Sequence, residues 1–593
     1  MSLNSNKQPD PEQTKVRLSF SRIILFLGMI VAGTVGVTNF SRNVHGGELL
    51  DAAALPELPR TFLNTTFVKP PGRTFNVSAG ADLQAIINAA KPGDTIEIQP
   101  TAIFIGNFVL PAKPTEIPRI DEWIVIRSAT PDPCLPPPGN RITPEYADLL
   151  PKIISPNGQA AIETQDGAHH YRLIGLEIGV VAQELYNNNL LKLGEGNVLQ
   201  ALVDVLPHDL IIDRCYIHGN PGGQVVRGIA LNSARTAVID SYVSEIHGDG
   251  FDTQAICGWN GPGPYKILNN YLEASGENVM FGGGDPFIQG LVPSDIEFRN
   301  NHLFKPLRWK RGSPEFAQAY WTVKNLLELK NAQRVLIEGN VIENNWADAQ
   351  DGFALVFKSV NQDGAAPWSV TRDVTFINNI VRNSDSGLNL LGRDTSQATD
   401  FMKRVLVRNN LWENITGDNL EGSPGRFLQI SDAQDVTIDH NTVLHTGLVI
   451  STYELPSPNF VYTNNLSAHN EYGVKGDGKA SGNDTIQTYF PQSLFLKNVF
   501  AGGPSNFYPA NNFFPSSLND VQFVNVKNRV YQLAPTSPYA RAGLDGKDLG
   551  CDFDSLGKAI SKVVINTHLS RNPLPKDFCG RISSIGRLQK NLN

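Results

Sequence analysis

The 593-residue sequence predicts an all-β fold, a parallel β-helix solenoid of about ten coils with an N-terminal capping helix. Three observations carry the prediction. Ten segments align with one another: RLIGLEI, LIIDRCYI, AVIDSYV, YKILNNYL, IEFRNNHL, VLIEGNVI, VTFINNIV, VLVRNNLW, VTIDHNTV and FVYTNNLS. Their equivalent position holds Leu176, Cys215 and Ser241, then asparagine at Asn270, Asn301, Asn340, Asn379, Asn410, Asn441 and Asn465, at steps of 24 to 39 residues. The segments alternate apolar and polar, with no helical period between them, so each step is one coil of short strands plus loops of variable length.

The elements follow in chain order. Residues 1–22 read as a leader on the cytoplasmic side. Lys15, Arg17 and Arg22 precede the uncharged run IILFLGMIVAGTVGV (Ile23–Val37), and only Arg42 follows closely. That asymmetry predicts export, with 23–40 as a signal-anchor or a cleaved signal and the rest outside the cytoplasm, anchored or secreted. Residues 41–75 carry no sustained period and read as a linker. In ADLQAIINAAKPGDTIEI, Leu83, Ile86, Ile87 and Ala90 recur at helical spacing, Lys91-Pro92-Gly93-Asp94 stops the helix, and TIEI begins the strands. A helix there covers the open end of the apolar core. The coils occupy 76–550. The asparagines are expected at tight bends, where inward amides bond the coils above and below and the residue tolerates left-handed backbone. Residues 551–593 form a tail that opens with a short helix, CDFDSLGKAISKVV.

A net charge of −8 argues against nucleic acid as a partner. The cysteines, Cys134, Cys215, Cys257, Cys551 and Cys579, form no zinc-type spacing; Cys551 and Cys579 are the pair closest to hand for a disulfide, and the odd count leaves a free thiol.

The capping segment, the xIxxNxI coils and the closing YQLAPTSPYARAGLDGKDLG (Tyr531–Gly550) resemble the right-handed parallel β-helix, pectate-lyase-like superfamily; residues 278–394 look like a bacterial group of β-helix repeat proteins. The resemblance implies the fold, and a range of activities that includes polysaccharide lyases, inverting hydrolases, epimerases, esterases and phage tailspikes. It also implies a substrate groove along one stacked sheet.

The strand before each asparagine segment supplies that sheet: GIALNSA, GFDTQAI, NVMFGGGD, NLLELKN, FALVFKS, GLNLLGRD and RFLQISD. Alternation points Asp252, Gln254, Gly282, Glu328, Lys330, Lys358, Asn389, Arg393 and Gln429 outward, about 4.8 Å apart per coil. Cations beside a carboxylate suit β-elimination of an acidic, uronate polysaccharide. That reaction needs the substrate carboxylate neutralised, a base for the C5 proton and a donor for the leaving oxygen. Lys330 is the expected base and Arg393 or Lys358 the neutralising cation. Glu328 or Asp252 would orient the substrate or contact Ca²⁺, with Asp285 a further metal ligand. A lysine–arginine pair on neighbouring coils resembles the alginate and chondroitin lyases of this fold. The insertion KPLRWKRGSPEFAQAYWTVK (Lys305–Lys324) is expected on the binding face, with Arg308, Trp309, Lys310 and Trp321 joining Asp252, Gln254 and Asn389 in holding sugar. Two other readings remain. Asp252 with Asp249 or Glu328 could be the carboxylate pair of an inverting glycoside hydrolase, or the column could bind glycans without cleaving them. A monomer is expected in every case.

Overall fold

The computed structural model describes residues 53–114, 122–394, 396–417, 425–568 and Cys579. The apolar run at 23–40 lies outside them; among the described residues no helix is long and apolar enough to cross a membrane.

Three long parallel sheets of 14, 13 and 12 strands wind into a right-handed β-helix. One coil shows the order: Ala332–Glu338 in the first sheet, Val341–Asn345 in the second, Phe353–Lys358 in the third, then Thr371–Ile377 back in the first. The solenoid has more coils than the ten asparagine segments. Strands from Thr74 to Thr164 precede the first of them, and Leu494–Leu496 and Val499–Ala501 follow the last. The first coils lack the asparagine and so escape a pattern search, whereas the last carries it at Asn498 in LFLKNVF, a segment left out of the alignment.

Inward residues stack in register. In the third sheet Ile229, Ile256, Val279, Leu327, Leu355, Leu388, Leu428, Ile450 and Val474 form one aliphatic column. All are at most 2% exposed. The capping helix runs Leu83–Ala89, capped by the Asp82 carboxylate on Ala85 N–H, and buries Leu83 and Ile87 on the first coils.

The asparagine ladder is present and longer than the repeat suggests. The Asn379 amide oxygen accepts from Asn340 N (2.9 Å) and Nδ2 (2.9 Å), and its Nδ2 donates to Ile337 O, Ile377 O and Asn410 Oδ1. The same backbone contact runs from Cys215 through Ser241 to Asn498 and Asn512. The left-handed backbone belongs to the preceding residue: Asn269, Asn300, Gly339, Asn378, Asn409, His440 and Asn464 have φ between 51° and 68°. The paired asparagines thus divide the work, the first bending the chain and the second bonding the coils. Asn379→Ala strips partners from two buried backbone groups and two amides, and is expected to cost roughly 2–4 kcal/mol in urea unfolding; a loss under about 0.5 kcal/mol would show the ladder to be redundant.

Two segments run back along the outside. From Ala53 on, the stretch read as a linker lies against the first sheet: Glu57 N donates to Asp373, Arg60 N to Asp295, Lys266 to Leu63 O and Arg172 to Thr65 O, before Thr74–Val77 pairs with Thr95–Ile98. At the other terminus the tail forms the helix Phe553–His568, where Ala559 O accepts from Asn300 Nδ2 at 2.6 Å. The disulfide joins Cys134 to Cys579, Cα atoms 5.9 Å apart. Cys551 is instead a buried free thiol beside Leu411 and Tyr531, so it is not the partner of Cys579.

Candidate functional site

The outward face of the third sheet gathers the titratable groups. Register puts Cys257, Met280, Glu328, Val356, Asn389 and Gln429 in one column. Lys330 and Lys358 stand two residues further on, in adjacent coils. Gly282 flanks Lys330 on the other side. A Cβ on Gly282 would lie 2.7 Å from Lys330 Cβ, and its φ is +102°, so only glycine leaves that lysine its place.

Glu328 is fully buried, although alternation points it outward. Its Oε2 accepts from Asn325 Nδ2 (3.0 Å); its Oε1 sits 3.4 Å from Lys358 Nζ and 3.8 Å from Lys330 Nζ. The expected crowding of cations therefore has a carboxylate at its centre. Beside it lies Glu277, also fully buried, whose Oε2 accepts from Gln254 Nε2 at 2.8 Å. Lys324 pairs with Asp252 and lies 3.7 Å from Glu277 Oε1. Three lysines, Lys324, Lys330 and Lys358, thus face three acidic side chains, Asp252, Glu277 and Glu328.

Burial, then the nearby charges of Glu328 and Asp252, push the Glu277 pKa from 4.5 up to about 7. Burial opposes the Lys324 ammonium, but Glu277 and Asp252 more than offset it and raise its pKa. The folded state therefore holds the Glu277 proton more tightly than the unfolded chain. Its stabilising contribution is complete below about pH 4.5 and is lost as pH rises through about 7. Glu277→Gln cannot ionise. It is expected to match the parent in urea unfolding at pH 4.5 and to exceed it at pH 8.5; parallel pH curves would place the Glu277 titration elsewhere.

Two buried amide oxygens here have no partner, Gln254 Oε1 and Asn325 Oδ1, while Glu277 Oε1 and Glu328 Oε1 make no hydrogen bond and face lysine Nζ atoms at 3.4–3.8 Å. An unpaired buried acceptor is costly. Two carboxylates and two amides are the hard-oxygen donors that Ca²⁺ takes, so the residues present fit such an ion.

A residue from the aromatic insertion supports this cluster from below. Lys305 is fully buried, and its Nζ donates to Ala274 O, Ser275 O, Gly276 O, Asn278 Oδ1 and Asn325 O at 2.6–3.0 Å. Burial pulls its pKa from 10.5 down to about 7, against the opposing pull of Glu277 and Glu273. It fixes Asn325, which in turn holds Glu328.

The other expected site residues are spread more widely. Trp309 and Trp321 turn inward and pack with Val323 and Trp346; Trp321 stacks on His247 at 4.1 Å. Arg308 is ion-paired with Glu245 (2.7 Å) and Glu273 (3.3 Å), and Lys310 lies over the Trp346 ring. Arg393 is paired with Asp432 at 2.7 Å and stacked on Phe401, not on the Lys330 pair. Asp285 accepts from the backbone of Gln362, Asp363 and Ala365, which occupies its carboxylate in bracing that loop. Asn389 and Gln429 do lie on the sheet face, and the Asn389 Oδ1 is buried without a partner. Glu277 and Lys324 were missed: each falls just before an aligned strand segment, at the end of a loop, where alternation has not begun.

The chain is thus a parallel β-helix protein with a cluster of charged side chains on the outer face of its third sheet. No family model matches it, and no curated protein does. Among solved structures it is similar to the catalytic unit of a GH87 α-1,3-glucanase from Streptomyces thermodiastaticus, at 13% identity and TM-score 0.44 over 77% of this chain and 72% of that one. It is also similar to a PL6 alginate lyase complexed with a trisaccharide, at 10% and 0.41 over 81% and 94%, and to the Dettilon tailspike protein, at 12% and 0.36 over 74% and 68%. The likeness is one of fold alone.

Proposed function

We propose that the chain is an exported lyase that cleaves an acidic polysaccharide by β-elimination on the third sheet. The observation that carries this reading is the Lys330–Glu328–Lys358 cluster on adjacent coils, ion-paired at 3.8 and 3.4 Å near the buried, unpartnered amide oxygens of Gln254 and Asn325. The uncharged amine of Lys330 takes the C5 proton of a uronate ring and becomes an ammonium; the C5–H electron pair forms the C4–C5 double bond, and the C4–O bond breaks with its electron pair leaving on the glycosidic oxygen. Lys358 lies on the same face to give the leaving oxygen a proton. Gln254, Glu277, Asn325 and Glu328 would hold Ca²⁺, which supplies neutralisation of the substrate carboxylate and so acidifies C5–H. The chain's own ammoniums hold the polymer in place. Export fits the disulfide, since such bonds persist in oxidising compartments.

The test is absorbance near 235 nm on alginate, polygalacturonate and chondroitin, with and without Ca²⁺. Rising absorbance is expected; new reducing ends without it would replace elimination by hydrolysis. That second reading rests on one observation, the protonatable Glu277 beside the Glu328 carboxylate, the pairing of an acid and a base. Calcium binding has its own readout. Millimolar Ca²⁺ is expected to raise the melting temperature of the parent, reversibly with chelator, and not that of Glu328→Gln. An equal rise in both would place the ion elsewhere.

A further inference from the structure

We propose that a cleft two coils before Lys330 is a second sugar subsite, which takes an anionic ring of the same polymer with its carboxylate on Arg227. The inference rests on the lyase reading and names what it binds. The cleft has a volume of about 400 Å³, within the range of ligand sites, and Trp259, Phe287 and Trp368 wall it with Arg227 and Gln289.

Arg227 has no carboxylate partner. Other arginines of the solenoid are spent on carboxylates, as Arg235 is on Asp209, Arg299 on Glu338 and Arg308 on Glu245. Beyond its interaction with the buried Cys257 thiol, Arg227 makes no ion pair and no hydrogen bond to an oxygen among the described residues, and its Nε is buried and unpartnered. Its guanidinium carbon lies 4.9 Å from the centre of the Trp259 ring, which orients the fork without neutralising it. A planar cation with unused donors is what a carboxylate requires.

The walls are held rigidly. Trp259 Nε1 donates to Gly196 O (3.0 Å), Trp368 Nε1 to Leu291 O (3.0 Å), and Asp285 accepts three backbone N–H groups of the 362–365 loop. Phe287 is 49% exposed, an apolar face of the kind sugar rings cover. Asp363, on the exposed rim, is the one carboxylate of the cleft not tied to backbone.

The cleft and the lysines lie on the same face of the third sheet. Gly258 pairs with Phe281 and Phe281 with Leu329, so Trp259, Gly282 and Lys330 occupy one outward row on successive coils. Two coils rise about 10 Å. A polymer lying along the sheet with a uronate at Lys330 therefore passes over Trp259, where a neutral sugar would leave the guanidinium unpaired.

The experiment titrates the full protein with tetramers of galacturonate, mannuronate and guluronate, and with their carboxyl-reduced forms. Calorimetry and elimination kinetics are read for the parent, Arg227→Gln and Arg227→Lys. Arg227→Gln is expected to weaken binding of the preferred acidic tetramer at least tenfold, raising KM more than it lowers kcat. Arg227→Lys recovers part of the loss, and carboxyl-reduced tetramers bind parent and variant alike. An active parent with unaltered KM in Arg227→Gln overturns the subsite and leaves the lyase reading standing. An equal loss on reduced tetramers overturns it too, because packing and not charge was removed. A parent that neither binds nor cleaves any uronate overturns both.

Discussion

Lys330→Ala is expected to lower the rate of elimination by roughly 10²–10⁴-fold, the range that removal of a positioned acid–base group produces. The side chain stands beside Gly282 and Lys358 with its ammonium 3.8 Å from Glu328. Alanine removes the proton acceptor but leaves Glu328 its contacts with Asn325 and Lys358. Lys330→Arg separates two roles. It places a permanent positive charge beside Glu328 and cannot accept a proton near neutral pH. If Lys330 is the base, both variants fail alike in kcat. If it only neutralises the substrate, arginine restores most of the rate, and Lys330 is a binding residue.

Lys305→Met is expected to be the most destabilising single change near the site, at about 3–5 kcal/mol in urea unfolding. Methionine fills much of the volume but gives nothing to the five oxygens that now accept from Nζ. Those oxygens belong to the turn at Ala274–Asn278 and to Asn325, so the damage reaches the Glu277 and Glu328 carboxylates. Amide exchange should therefore rise first at 274–278 and 325–328. A loss below about 1 kcal/mol would mean that water replaces the ammonium and that Lys305 does not brace the site.

The coils were legible because the asparagine ladder imposes one residue at one geometric position, and a period of that kind survives loops of any length. The capping helix was legible from its spacing and its Pro-Gly stop. Glu328, Lys330 and Lys358 could be found because alternation along a strand fixes which side chains leave the core. Alternation does not say what covers the outer face, so the burial of Glu328 was not visible. The insertion shows the same limit more strongly. Its composition suggests a sugar platform, yet His247 receives Trp321 and the acids Glu245 and Glu273 receive Arg308, partners more than 30 residues away in the chain. Arg227 had no signal of its own, because what distinguishes it is the absence of a carboxylate that other coils place beside their arginines.

The disulfide between Cys134 and Cys579 closes a covalent ring over 445 residues of chain. Any single cut inside that ring, for instance in the exposed stretch around Arg311 and Gly312, opens the ring without dividing the molecule. A protein working among foreign proteases would then tolerate a first nick: the nicked chain should migrate as one species on a denaturing gel and separate into two only when reductant is added. Its working life in the presence of a protease would be set by the second cut rather than the first.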